Sequence, residues 1–250
     1  MRKQRGTSAV EMMVVVLVFT LLTGAAFHLL NVSQQRYRME SDVLDSFQAA
    51  QVALDQMARD IHTSGYPPVN SFSSAAVANA NVTLVASTPF AWSPSYPNTP
   101  CTVGAGCTTP NGFDLIVETD LDPQNNNGVE WVRYQLNGTT LFRGVAAKQA
   151  GADPAVVTQP TLVPYVDNVM NNASAAQIAQ IQKSYPGMFP GGAAVPVFTY
   201  KYDSGQPNTP PNVREVNLTL IVQAQTLDPL TQQPRVVTLT ARARRIDPNQ

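Results

Sequence analysis

The segment DLDPQNNNGVE, residues 120–130, crowds oxygen-bearing side chains into one loop: Asp120, Asp122 and the run Asn125, Asn126, Asn127, with Glu130 just beyond. Calcium takes about six to eight oxygen ligands, so Asp120, Asp122 and Asn126 are candidate ligands for Ca2+, the one cofactor the sequence suggests. The spacing departs from an EF-hand loop. Asn125 stands where that loop needs glycine, Gly128 comes too late, and Glu130 falls one residue short of the bidentate position. The competing reading is an Asx-rich turn whose side chains bond their own backbone.

Other reactive groups are sparse. Cys101 and Cys107 sit in CTVGAGC, and without a nearby histidine they cannot complete a tetrahedral zinc site. Behind an N-terminus of the kind that directs export, they read as a disulfide pinning a surface loop rather than as free thiols. The two histidines are His28, inside an apolar run, and His62, near a helix end. Neither lies beside a Ser or Cys nucleophile motif, and no glycine-rich phosphate loop occurs. The carboxylates form no evident acid–base pair, so the sequence predicts no enzyme.

One carboxylate stands out for its setting. Glu11 heads an apolar run, Met12 to Leu30, broken only by His28 and two threonines. At 1.5 Å per residue that run measures about 28 Å, close to the roughly 30 Å hydrocarbon core of a bilayer. A charge within such a segment costs about 2.5–3.5 kcal/mol on insertion scales. Arg2, Lys3 and Arg5 precede it and predict a cytoplasmic N-terminus, with the rest of the chain outside. No small-residue cleavage site follows the run, which separates it from a secretory signal peptide.

The helix is expected to continue beyond the membrane. No Gly or Pro intervenes between Gly24 and SGYPP at 64–68. Met39, Val43, Phe47, Ala50, Leu54, Met57 and Ile61 recur at spacings of four and three, the stripe of an amphipathic helix. Arg36, Arg38, Glu40, Asp42, Asp45, Asp55, Arg59 and Asp60 are assigned to the other faces. The pattern predicts one helix over about residues 8–64, on the order of 85 Å long.

RGTSAVEMMVVVLVFTLL resembles the type IV prepilin signature: a short basic leader ending in glycine, then a processed residue, then a glutamate at the fifth mature position. The resemblance implies cleavage after Gly6 by a prepilin peptidase, Thr7 as mature N-terminus and candidate for N-methylation, and Glu11 as the assembly residue. Thr7 departs from the usual Phe. Glu11 would then neutralise the α-amine of a neighbouring Thr7, since a buried charge is tolerated when paired. The alternative is a plain signal anchor whose Glu11 snorkels to the interface.

After Asn81 the period becomes two. FDLIVETD (113–120) reads as a partly buried strand. VEWVRYQLNGTTLFRG reads as a hairpin with a type I′ turn at Asn137-Gly138, and Arg143 follows its second strand. PVFTYKYDSGQ alternates Phe198, Tyr200 and Tyr202. VREVNLTLIVQAQT puts Val216, Leu218, Leu220 and Val222 on one face, and PRVVTLTARARRI does the same with Val237, Leu239, Ala241 and Ala243. These last two strands should pair antiparallel. Between them and the hairpin, SAAQIAQIQKSY reads as a short helix capped by Ser174. The expected fold is α+β: one long N-terminal helix, transmembrane in its first half and amphipathic in its second, packed on an antiparallel β-sheet in a pilin-like arrangement.

The order of these pieces resembles the large minor subunits of such filaments, the J-type pseudopilins of type II secretion and the W-type minor pilins. Expected boundaries are a leader at 1–6, a transmembrane and assembly helix at 7–30, an amphipathic helix at 31–65 and a periplasmic head at 66–250. The family resemblance implies partners: other minor and major subunits, the prepilin peptidase and the inner-membrane assembly platform. Removing Arg2, Lys3 and Arg5 leaves 13 basic against 17 acidic side chains, a net charge of −4 that argues against nucleic-acid binding. The rival from another class is a signal-anchored envelope binding protein or adhesin.

Overall fold

A computed structural model describes residues 8–71, 83–124, 128–158, 161–228, 231 and 233–245. Helix α1 spans Ala9–His62, 54 residues without a break. It begins at Ser8, whose side chain accepts from the Val10 N–H while Glu11 accepts from the Ser8 N–H: a capping box. It ends where the Thr63 N–H bonds back to Arg59, and Gly65 then turns the chain at φ 84°, a conformation glycine adopts without strain. The exit is fastened at once. The Gly65 N–H donates to the Glu118 carbonyl at 2.8 Å, and the Thr119 hydroxyl donates to the Thr63 carbonyl at 3.0 Å.

The strands are β1 Phe90–Ala91, β2 Asp114–Thr119, β3 Glu130–Asn137, β4 Thr140–Ala147, β5 Val163–Val166, β6 Phe198–Tyr202, β7 Val213–Leu227 and β8 Pro234–Arg244. Short helices α2 (Pro154–Thr158) and α3 (Ala175–Ser184) lie between β4 and β6. All pairings are antiparallel, but there are two sheets where the sequence suggested one: β1-β2-β3-β4-β5 and β6-β7-β8. The chain leaving β5 explains the split. It does not turn back to pair with β5; it crosses to β7, where the Asn168 carbonyl accepts from the Gln223 N–H at 3.0 Å and Val169 bridges Val222. Asn171 then takes the place of a strand residue. Its amide donates to the Thr219 and Val195 carbonyls, and its oxygen accepts from the Ile221 N–H at 2.7 Å.

The apolar stripe of α1 fills the space both sheets share. Ala50, Leu54, Met57 and Ile61 join Leu115, Val117, Val132 and Tyr134 of one sheet and Val216, Leu218, Leu220 and Val222 of the other in a single core. Further toward the N-terminus, Met39, Val43 and Phe47 pack on Ala224 at the far end of β7. The β7 face assigned from alternation is the buried one. The expected α3 forms as well, with Ser174 and Gln177 in a capping box.

The strands of the first sheet differ from expectation in three places. β2 is buried along its whole length, because both its faces are covered. Arg143 lies within β4, which runs on to Ala147. The hairpin pairs Asn137 with Thr140, so its loop is Gly138-Thr139. Only Gly138 has positive φ (59°) there, the pattern of a II′ turn with glycine at the first central position.

Asp60 departs furthest from its expected setting. Placed on the solvent side by its charge, it is buried and anchors α1 to the first sheet. The Tyr134 hydroxyl donates to its Oδ2 at 2.6 Å, Arg143 donates to the same oxygen at 3.1 Å, and the Gln56 amide donates to Oδ1 at 2.7 Å. The Arg143 Nε also donates to the Tyr134 oxygen at 3.0 Å. Burial, reinforced by Asp60, holds the Tyr134 phenol far above its usual range; burial and Glu118 do the same to Tyr96. Below about pH 10, the ordinary tyrosine value, folded and unfolded chains both keep these protons and the contribution to stability is whole. Above it the unfolded chain loses protons that the folded chain retains, and stability falls. A titration followed by phenolate absorbance should therefore show these two tyrosines ionising together with the loss of helix and sheet signal, and Tyr134→Phe should remove one of them from that step.

Candidate membrane and assembly segment

The first half of α1 stands apart from the head. Within α1 there is a window long and apolar enough to cross a membrane, and none of it is buried inside the molecule. Val10, Met13, Phe19, Leu21, Phe27 and Leu29 are each about two-thirds or more exposed, a surface area that water does not tolerate as a contiguous patch. From Met39 onward the same helix dips one face into the head. The result is an apolar rod rigidly continuous with a folded domain.

Glu11 sits in the first turn of that rod, exposed, with Oε2 3.1 Å from the Ser8 nitrogen. Within a single chain the carboxylate thus has a local role: it satisfies one of the backbone donors that a helix start leaves unpaired, and it complements the positive end of the helix dipole. Gly6 and Thr7, the expected processing residues, lie outside the described residues.

Cys101 and Cys107 form a disulfide, closing the loop that lies against the Trp92, Tyr96 and Trp131 cluster. In the acidic loop, Asp120 Oδ1 accepts from the Asp122 N–H at 3.0 Å, and Glu130 Oε2 accepts from the Leu121 N–H at 2.9 Å. These oxygens cap a turn, the arrangement of the Asx reading, while Asn126 lies outside the described residues. Among the described residues no three His, Cys, Asp or Glu side chains cluster where they could hold a metal ion together. His28 is on the exposed apolar half of α1, and His62 is its last residue.

Sequence reading missed two buried ion pairs. Lys148 and Glu118 are both fully buried, 3.2 Å apart. The Lys148 ammonium also donates to the Val85 carbonyl and the Ser87 hydroxyl at 3.0 Å each. Glu118 accepts in addition from the Tyr96 hydroxyl, from Trp131 Nε1 at 3.2 Å and from the Thr88 N–H at 3.3 Å. Burial pushes the Lys148 amine down, and Glu118 opposes that shift. Arg133 meets Asp114 through two parallel bonds of 2.9 and 2.5 Å, and its remaining arm donates to the Ala155 carbonyl at 2.6 Å. Lys148, one residue past the end of β4, reaches Glu118 on β2, and Arg133 on β3 reaches Asp114 on β2; the first pair also ties down residues 83–89 and the second α2. Charge in a strand was the available signal; the partner was not.

Gly128 shows how tightly residues 83–89 are held. At φ 90°, a Cβ there would stand 2.8 Å from the Thr83 carbonyl oxygen, which already accepts from the Val129 N–H at 2.6 Å. Only glycine fits such an approach.

Glu118→Gln keeps the shape of the buried pair while removing the carboxylate charge that faces the Lys148 cation. Thermal or denaturant unfolding of the full chain in detergent should register a loss of about 3–5 kcal/mol, with part of it recovered by adding Lys148→Met. No protein-family model, no curated protein and no solved structure matches this chain.

Proposed function

We propose that this protein is a minor pilin or pseudopilin, a structural subunit that joins and helps initiate and cap a type IV pilus or type II secretion pseudopilus. The observation that carries the reading is α1: an apolar half with no partner in its own chain among the described residues, headed by Glu11, continuous with a half embedded in a large head. A prepilin peptidase would cut after Gly6 and free the Thr7 amine, a cation that Glu11 of a neighbouring subunit would neutralise. The pairing would fix the axial register of one helix against the next. Membrane insertion is the stage before assembly, with the N-terminus cytoplasmic and the head in the periplasm. The partners would be other minor and major subunits and the inner-membrane assembly platform, and the subunit's work would be structural, with no catalytic step of its own.

A bulky head supports a position at the filament tip, where fewer neighbours crowd it. The long connections between strands, braced by the Cys101–Cys107 disulfide and the two buried ion pairs, would serve as its contact surfaces.

Two experiments test this. Co-expression with a prepilin peptidase should remove residues 1–6 and give Thr7 as the N-terminus by intact mass and peptide mapping. An uncut Met1, or cleavage after the apolar run, would overturn the reading in favour of an anchored binding protein. Glu11→Gln then separates the two roles of the carboxylate. A capping box accepts Gln as well as Glu at its third helical position, so the variant should insert and fold normally; lacking the charge, it should fail to enter filaments. Normal incorporation would refute the charge-pairing role.

A further inference from the structure

A strand edge exposes unpaired backbone donors and acceptors, and proteins keep such edges short, interrupted or covered. Most edges here obey. β1 has two residues, and β5 has four with Pro164 among them. The outer side of β6 begins under Gly112, whose carbonyl accepts from the Val197 and Phe198 N–H groups. β7 pairs with β8 on one side, and on the other with β6 and then the 168–171 segment. β8 is the exception: 11 residues paired with β7 alone.

The register fixes which groups are spare. The Arg245 N–H donates to the Arg214 carbonyl at 3.2 Å, making that opposed pair a hydrogen-bonded one. Hydrogen-bonded and non-bonded pairs alternate along an antiparallel ladder. Residues 243, 241, 239 and 237 therefore turn their backbone groups toward β7, while Val236, Thr238, Thr240, Arg242 and Arg244 turn theirs outward. Among the described residues nothing pairs with these outward groups. Val237, Leu239 and Ala241 on the core side are only half-buried, leaving an apolar rim along the same edge.

The charges choose the occupant. β8 carries Arg235, Arg242 and Arg244 and no carboxylate. Arg242 already pairs with Glu215 on β7, whereas Arg244 has no ion-pair partner among the described residues. A second copy of β8 would bring three more arginines and no carboxylate of its own to this edge, leaving Arg244 without a counter-charge, and an in-register pairing would set like charges opposite one another, which destabilises a strand pair. We propose that the edge of β8 receives an extended acidic segment of a different chain, which adds a fourth strand to the β6-β7-β8 sheet and sets carboxylates beside Arg242 and Arg244. Main-chain hydrogen bonds supply affinity in this mode of recognition, and the side chains supply selectivity.

The test uses the full chain in an uncharged detergent and fluorescent peptides of alternating Glu and Val. Binding should be read by anisotropy and should protect the Thr238 and Thr240 amides from hydrogen exchange. A Lys/Val peptide, and a fully N-methylated Glu/Val peptide that keeps its charges but has no backbone donors, should each bind at least about tenfold more weakly, a difference of about 1.4 kcal/mol or more. Thr240→Pro removes an outward N–H without touching the ladder to β7 and should weaken the Glu/Val peptide to the same degree; Arg244→Glu should do so as well. Absence of Glu/Val binding overturns the proposal. So does equal binding of the Lys/Val peptide, or undiminished binding of the N-methylated one, which would mark adhesion by charge alone. The N-methylated comparison is made on unaltered protein, so its outcome does not depend on how the proline variant folds.

Discussion

The second half of α1 is the member on which the rest of the head depends. A sheet with one apolar face must bury it against something, and here two sheets use the same helix. Leu54, Met57 and Ile61 share one core with residues of both, so neither sheet has a complete core without them. The position along the helix axis is then fixed by chemistry more directional than packing. Asp60 is buried among Tyr134, Arg143 and Gln56, and sliding the helix by one residue would leave that carboxylate without partners in an apolar setting. A buried charge stripped of its partners costs several kcal/mol. The stripe makes the helix stick; Asp60 decides where.

That constraint reaches the far end of the molecule. The helix is unbroken from Ala9 to His62, so any surface that grips its first half also orients the head. Lipid and an apolar helical bundle both satisfy the exposed side chains between Val10 and Leu30. A rigid rod of about 80 Å leaves little freedom between what the apolar half contacts and where the sheets face.

The buried ion pairs act at the periphery of the same design. Lys148–Glu118 and Arg133–Asp114 are satisfied beyond the pair itself, by Val85, Ser87, Thr88 and two aromatic donors in the first case and by Ala155 and Gln135 in the second. Such complete satisfaction is what makes a buried pair tolerable. The first pair draws residues 83–89 and the second draws α2 onto the outer face of the first sheet, where Trp92 and Ala155 join Ile116 and complete the cover of β2. The connection between α1 and β2 is held by both means: Trp92 and Tyr96 pack with Trp131, and the Lys148–Glu118 pair adds polar anchors at residues 83–89.

Features written in local periodicity were legible from the order of residues alone. The four-and-three spacing from Met39 to Ile61, the alternation in β7 and β8, the caps at Ser174 and at the end of α1, and the apolar length of the first thirty residues each depend on neighbours within a turn or a strand. The cysteine pair was legible because only a few residues separate its members. Whatever required distant partners waited for the folded chain. Asp60 looked like a solvent residue because its charge was visible and Tyr134 and Arg143, more than seventy positions away, were not. Asn171 belongs to no periodic pattern, and a side-chain amide can replace a strand residue only once β7 is beside it. The division into two sheets follows from that same crossing. Periodicity reports which face of an element is apolar; it carries no information about which buried polar group will meet it there, and long-range hydrogen bonds made that choice.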